Sequence, residues 1–407
     1  MSLDAAAAPM RQEDVKRHNA SLALRAIRDT PGLTRAKLSK QFGVTKVGIA
    51  RHIDELLALG LVTEHLDRQP RRGRPGWRLR LATEPFYALG YDLRMDRQSE
   101  LTVDTAGRPL HRRPLSLSVH ATLDDAVELV ARSVRESRAR QAGELVGVAV
   151  SLPGHFEQGW TTVTRSVYSS PGAYPILERV RQALGADVPV VMTDIPSAAA
   201  AAHSRACGVQ DLFQISVGVG AGLGQSVDPQ ARYVDRPETI EIGHMPFVLD
   251  GPACTCGRRG CADTMVGFRH LAEAVGRAGL DLGDDPAEDI QAASAVIAAA
   301  CDRQDSGVVD AVVESARWMA LLAGQVITLC RPGALTLGGY PLALGRHFEA
   351  PFRAELATRV AAGDGIYRTT ELGDDASAQG AALFALEPLF DDPLAVAALV
   401  GSGSLRA

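Results

Sequence analysis

Between positions 244 and 261 the chain reads His244, then Cys254-Thr255-Cys256-Gly257-Arg258-Arg259-Gly260-Cys261, which gathers one imidazole and three thiols within eighteen positions. Three of the six cysteines crowd into eight residues, and six are too few for a disulfide framework in a chain of 407. Nitrogen and sulfur donors at this spacing suit a tetrahedral metal, and Gly257 and Gly260 let the knuckle turn tightly around it. Four protein ligands leave no open coordination position for a reactive water. The expected ion is therefore a structural zinc held by His244, Cys254, Cys256 and Cys261, with Arg258 and Arg259 offsetting part of the thiolate charge. Cys207, Cys301 and Cys330 stand alone in apolar or mixed surroundings and read as core thiols.

A second constraint is the distribution of charge. Of 43 Lys and Arg and 48 Asp and Glu, residues 1–82 hold 16 and 8, so a basic module precedes an acidic body of 27 bases and 40 acids. That asymmetry is expected when one end approaches a phosphate backbone. The basic module reads as helix, turn, helix. An amphipathic helix from about Asp14 to Asp29 stops at Pro31-Gly32; Thr34 caps a short helix with Leu38 and Phe42 on one face; Thr45 caps a third helix that buries Ile49, Ile53, Leu56 and Leu57.

On the third helix Val47, Arg51 and Asp54 fall opposite the apolar stripe, with Lys46 in the first turn, a disposition that suits base edges and phosphates in a major groove. Two strand-like runs, 60–64 and 77–81, flank Arg71, Arg72 and Arg74 in a loop rich in arginine, glycine and proline. This is a wing, and its arginines suit phosphates or a narrow minor groove. The expected DNA contacts are Thr45, Lys46, Val47, Arg51, Arg71, Arg72 and Arg74. A helical unit that binds a protein partner is the blander alternative.

The body alternates strands and helices, which calls for a largely parallel or mixed sheet covered by helices. A strand meander at 87–110 leads through a helix near 123–139 to the apolar strand Val146 to Val150, and the strand 188–192 runs into Thr193-Asp194. A second unit opens at Leu212 to Val217 with a glycine-rich turn, Gly218 to Gly224; later a buried strand ends at Gly338-Gly339, and Asp375 to Ala382 opens a last helix. Two related lobes around a cleft are the expected organisation, with both glycine sites at strand ends that face a ligand. Mean hydropathy is near zero, and no segment holds about 18 uninterrupted apolar residues, so the expected compartment is the cytoplasm, with no membrane partner.

Taken together, the metal block with Glu241 ahead of it, the glycine turns and the basic head resemble the ROK family of bacterial repressors and sugar kinases, from about Leu22 to Leu386. The resemblance implies an α/β protein: an N-terminal winged helix-turn-helix (1–82) followed by a two-lobed actin-like, sugar kinase/ribonuclease H-like domain. Its lobes would span 83–200 and 201–407, with the last helix placed to pack back on the first. The resemblance also implies zinc, and a sugar bound between the lobes.

Carried over position by position, the family's general base matches Asp194 beside Thr193, its sugar-contacting Glu and His match Glu241 and His244, and a further Glu matches Asp263, one methylene shorter. The expected effector set is Thr193, Asp194, Glu241, His244 and Asp263. Kinases of the family carry an Asp-x-Gly-Gly-Thr loop where this chain has Asp92-Leu93-Arg94-Met95-Asp96. Side chains there would fill the phosphate space, so no catalysis is expected. The expected function is a DNA-binding regulator, a repressor of carbohydrate genes, acting on double-stranded operator DNA as a homodimer or homotetramer and controlled by a sugar. The alternatives are a sugar kinase that also binds DNA and a ligand-blind DNA-binding protein.

Overall fold

Thr34 and Thr45 begin two helices by the same device, a side-chain oxygen that accepts from a backbone amide of the first turn, Lys37 in one case and Gly48 in the other. The computed structural model describes residues 12–66, 77–118, 120–157, 159–168, 170, 172–185, 188–226, 240–360 and 363–403. Helices α1 (Gln12–Asp29), α2 (Arg35–Phe42) and α3 (Lys46–Ala58) enclose Leu24, Ile27, Leu38, Ile49, Ile53 and Leu56. Strands β1 (Val62–Leu66) and β2 (Trp77–Leu81) pair antiparallel to form the base of the wing. Arg71, Arg72 and Arg74 lie outside the described residues.

The first lobe is a five-stranded mixed sheet in the order β5-β4-β3-β6-β9, from β3 (Phe86–Leu93), β4 (Gln98–Asp104), β5 (Pro109–Leu115), β6 (Glu144–Ser151) and β9 (Val190–Thr193). α4 (Leu123–Arg140) and α5 (Ile176–Leu184) cover one face. A small hairpin, β7 (Gly154–Phe156) with β8 (Val163–Ser166), projects from the carboxyl end of β6, and α6 (Ile195–Cys207) leaves the end of β9.

The second lobe has a three-stranded sheet, β11-β10-β12, from β10 (Leu212–Val217), β11 (Ala221–Gln225) and β12 (Ala334–Gly339). Around it run α7 (Asp263–Val266), α8 (Phe268–Arg277), α9 (Ile290–Asp302), α10 (Ser306–Cys330), α11 (Tyr340–Leu344) and α12 (Arg346–Arg359). Cys301 is buried as expected and Cys207 half-buried. Cys330 is exposed, contrary to expectation, because it closes α10 past Ile327, the last buried residue of that helix.

The chain then returns to the first lobe through α13 (Ala376–Asp391) and α14 (Pro393–Gly403). α13 lies against β3, β6 and α6 at very short range, which three glycines permit. A Cβ at Gly90 would overlap the backbone of Ala382, at Gly147 the carbonyl of Ala385, and at Gly380 the carbonyl of Ala198. Both faces of β3 and β4 are thereby buried. Among the described residues no helix is long and apolar enough to cross a membrane.

The far end of α13 holds the winged helix. The core of the winged helix is continuous with Leu386, Leu389 and Phe390, and Ser21 donates to the Phe390 carbonyl at 2.6 Å. Glu387 receives Arg25 at 3.1 Å and Arg28 at 3.5 Å, Arg25 also reaches Asp391 at 2.5 Å, and the Arg28 guanidinium lies 4.5 Å from the centre of the Phe390 ring. Glu387→Ala should take one shared carboxylate from Arg25 and Arg28, which keep Asp391 and Asp29, and cost about 1–2 kcal/mol at this junction. The check is a chemical denaturation midpoint together with earlier proteolytic release of the N-terminal module; an unchanged release rate would refute the assignment.

Candidate functional site

A cavity of about 520 Å³ opens between the lobes, at the carboxyl ends of β6, β9 and β10. Asp194 borders it as the N-cap of α6, 1% exposed, with Oδ1 accepting from the Ser197 amide at 2.8 Å; Pro196 in the first helical turn is compatible with that start. Thr193 does not reach the cavity. It is buried on β9, and its hydroxyl points toward the Asp194 carbonyl at 3.4 Å.

The second lobe brings Glu241, His244 and Asp263 to the same cavity. Glu241 and His244 flank a single tight turn, Ile242–His244, in which Gly243 is required because a Cβ would overlap both Asp263 and the Ala221 carbonyl. Asp263 is held by the Ala221 amide at 2.7 Å, yet burial keeps its carboxyl above the usual range. Burial acts on Glu241 in the same sense, but the hydrogen bond from His155 and the charges of His155, His244 and Arg165 outweigh it and hold that carboxyl low.

His155 and Arg165, which sequence reasoning missed, come from the β7–β8 hairpin of the first lobe. His155 Nδ1 contacts Glu241 Oε1, and Arg165 donates to His155 Nε2 at 3.0 Å and lies 3.9 Å from Glu241. The hairpin therefore bridges the cleft to the second lobe. Pro153-Gly154 at the end of β6 was the one visible hint that the chain turns into the cleft here.

His244 uses both ring nitrogens. Nε2 lies 3.3 Å from Arg165 and 3.8 Å from Glu241, while Nδ1 lies between Asp263 Oδ2 at 3.6 Å and Cys254 Sγ at 3.8 Å. Cys256 and Cys261 sulfurs are 3.6 Å apart, too far for a disulfide, and all four donor atoms lie within 4.8 Å of one another. A tetrahedral ion with bonds of about 2.0–2.3 Å requires donor separations of roughly 3.5–3.8 Å, so the set fits a metal ion. Charge points the same way. The Arg258 guanidinium draws the Cys256 thiol down to about 6, while burial, reinforced by the neighbouring sulfurs, pushes Cys261 up to about 12. Only a cation among them would keep three thiolates together at neutral pH.

At the opposite side of the cavity the turn after β3 is filled. Arg94 meets Asp92 at 3.1 Å and donates to the Asp374 carbonyl at 3.1 Å, Arg97 holds Asp374 at 3.4 Å and Asp375 at 2.5 Å, and Met95 and Asp96 border the cavity. Asp92 is fully buried, and that burial raises its carboxyl to about 6 against the pull of Arg94.

On the winged helix, Thr45 caps α3 and Val47 stands 82% exposed, with Arg51 exposed one turn on. Lys46 is the first residue of α3. Asp54, from the same face, is engaged by Arg35 at 2.6 Å, and Arg35 also holds Glu64 at 2.8 Å. Gly48 has a local reason: a Cβ there would press the capping hydroxyl of Thr45 at 3.3 Å.

The sequence profile of the ROK family matches residues 101–387, and that of the MarR family matches residues 14–73. The xylose repressor of Caldicellulosiruptor bescii is 24% identical over 64% of this chain and 66% of its own length. The DNA-binding transcriptional repressor Mlc of Escherichia coli is 26% identical over 64% and 66%. The chain thus aligns with about two thirds of the length of these relatives, 66% in both. Among solved structures, a ROK family transcriptional regulator homologous to the E. coli MLC protein superposes with a TM-score of 0.75 at 21% identity, covering 95% of this chain and 99% of its own. A ROK family glucokinase from Streptomyces griseus, solved with glucose and AMPPNP, gives 0.59 at 24%, covering 74% and 99%.

Proposed function

The chain belongs to the ROK family, and on that premise we propose that it is a DNA-binding repressor of carbohydrate genes, controlled by a sugar or sugar derivative in the cleft of a kinase-like body. The observation that supports this reading is a capped third helix with Val47 and Arg51 exposed, together with an inter-lobe cavity that Glu241, His244, Asp263 and Asp194 border and where Arg94, Met95 and Asp96 occupy the turn after β3. In this reading Thr45, Lys46, Val47 and Arg51 of α3, with Arg71, Arg72 and Arg74 of the wing, meet operator DNA. Glu241, His244, Asp263 and Asp194 meet the effector: carboxylates accept from sugar hydroxyls and the His244 N–H donates to one.

Zinc is the ion we assign to His244, Cys254, Cys256 and Cys261. It would lock the knuckle and hold the His244 ring by Nδ1, which leaves Nε2 as a fixed donor toward the cleft. We assign 1–82 to the reading head, 83–200 and 201–407 to the lobes, and a homodimer or homotetramer in the cytoplasm as the acting species. Ligand-driven change in the angle between lobes would alter the spacing of paired winged helices on two half-sites.

The kinase alternative keeps the glycine turns at Gly218 and Gly338 but meets Arg94, Asp92, Asp96 and Asp374 where phosphates would enter. The test is binding of the purified chain to duplex DNA from upstream of its own gene, with and without candidate sugars. One sugar should weaken binding about tenfold or more, and Glu241→Gln should abolish that response with DNA affinity retained. Transfer of labelled phosphate from ATP to a sugar would overturn the reading.

A further inference from the structure

A second cavity, of about 1050 Å³, lies between the winged helix and the first lobe. It is bordered by the C-terminal end of α1, the base of the wing, the connector 82–85 and the β4–β5 turn. It shares no bordering residue with the cleft between the lobes. Across the β1–β2 pair Thr63 stands opposite Arg80 and His65 opposite Arg78, so these four side chains occupy one face of the hairpin, and all four border the cavity. The other face carries Val62 and Leu79 into the core of the winged helix.

Four arginines border this cavity against one carboxylate, Glu84, among the described residues. Two of them are engaged: Arg28 with Asp29 and Glu387, and Arg78 with the Gly32 carbonyl, to which it donates at 3.3 Å. The other two, Arg80 on the head and Arg108 at the β4–β5 turn, are exposed, and their side chains have no hydrogen-bond or ion-pair partner among the described residues. Asp104 is buried and accepts from the backbone amide of Arg108 at 2.9 Å, so it does not neutralise that guanidinium. Cations without a counter-charge in a concave site favour an anion, and the planar guanidinium fork matches the oxygens of a phosphate. The cleft between the lobes has the opposite character, with Asp96 and Asp374 on its border.

We propose that the cavity between head and body binds a phosphate dianion, free or as the ester of a small metabolite, held by Arg80 from the head and Arg108 from the first lobe. Both side chains are long and exposed, so their forks can turn toward one ligand. Glu387 of α13 already ties the head to the body through α1, and a bound phosphate adds a second tie through the base of the wing. The proposal is independent of the reading of the cleft as a sugar site.

Calorimetric titration of the full chain, without DNA, with inorganic phosphate, glucose 6-phosphate and glucose tests it. At least one phosphate-bearing probe should bind with a Kd below about 1 mM, and the tighter of the two tells free phosphate from ester. Arg80→Gln and Arg108→Gln, both at exposed positions that should leave the fold intact, should each weaken that binding about tenfold and leave any binding of glucose unchanged. Saturating phosphate should also slow proteolytic release of the N-terminal module in the wild type and not in Arg108→Gln. Failure of both phosphate probes to bind, or binding that survives both substitutions, overturns the proposal. Loss of duplex DNA affinity in the two variants, with no phosphate binding by the wild type, would make the groove a track for the DNA backbone and overturn it as well.

Discussion

Cys256→Ser is expected to empty the metal centre, taking the metal content of the purified chain from one ion to near zero. Cys256 is one of the three thiols of the cluster, and the Arg258 guanidinium beside it favours its thiolate. A serine hydroxyl does not ionise in this range, and three remaining donors no longer close a tetrahedron. Structural zinc sites of this kind supply on the order of 10 kcal/mol to the peptides that fold around them. Here the loss is local. The knuckle keeps bridges between Pro246 and Cys261 and between Ala253 and Arg259, and Phe247 packs 5.7 Å from the Trp318 ring. The part released is His244, whose Nδ1 loses its anchor and whose Nε2 is no longer aimed at the cleft. Sugar binding should therefore weaken with the metal, while DNA affinity without sugar stays. Elemental analysis of the variant beside the wild type, with hydrogen exchange over 241–263, decides it; unchanged metal content would refute the ligand set.

The features legible in the sequence are those whose chemistry is local. Thr34 and Thr45 act on amides three residues away, so a threonine ahead of an apolar period was enough to place both helix starts. The knuckle's four donors could be picked out because they are dense in the chain, whereas Glu241 and His244 entered the effector set through the family resemblance, and the structure brings both to the cleft. His155 and Arg165 were not, since they sit on strands of three and four residues, too short to show a period, and their partner Glu241 is far away in sequence. Thr193 shows the converse error. The family's motif put it in the effector set, but it is buried on β9 and does not border the cavity. α14 also escaped, because a helix that is apolar nearly all round offers no periodic stripe to read.

Glu100→Ala is expected to be the most damaging single change outside the metal centre, about 3–5 kcal/mol, for a reason also invisible in the sequence. The sequence shows Glu100-Leu101-Thr102-Val103-Asp104 only as part of a strand meander, with no sign that its first carboxylate is buried. Yet α13 and α4 cover the two faces of the sheet, and Glu100 is 0% exposed. Its carboxylate receives Ser137 at 2.7 Å, Tyr91 at 3.0 Å, Arg113 at 3.0 Å and Arg140 at 3.4 Å, together with the hydroxyl of Ser133.

Five donor residues from β3, β5 and α4 would lose their common acceptor at once, and the Tyr91 hydroxyl, wholly buried, has no water to turn to. Glu100→Gln keeps the shape but points an amide N–H at other donors, so it should recover only part of the loss. A fall in thermal midpoint of roughly 5–10 °C for the alanine variant, with glutamine between it and the wild type, is the expected result. Equal midpoints for all three would mean that the cluster opens to water and carries no stability. Because α4 lies on the face of the sheet away from α13, metal content and DNA affinity below the melting range should not move, which separates this effect from that of Cys256→Ser.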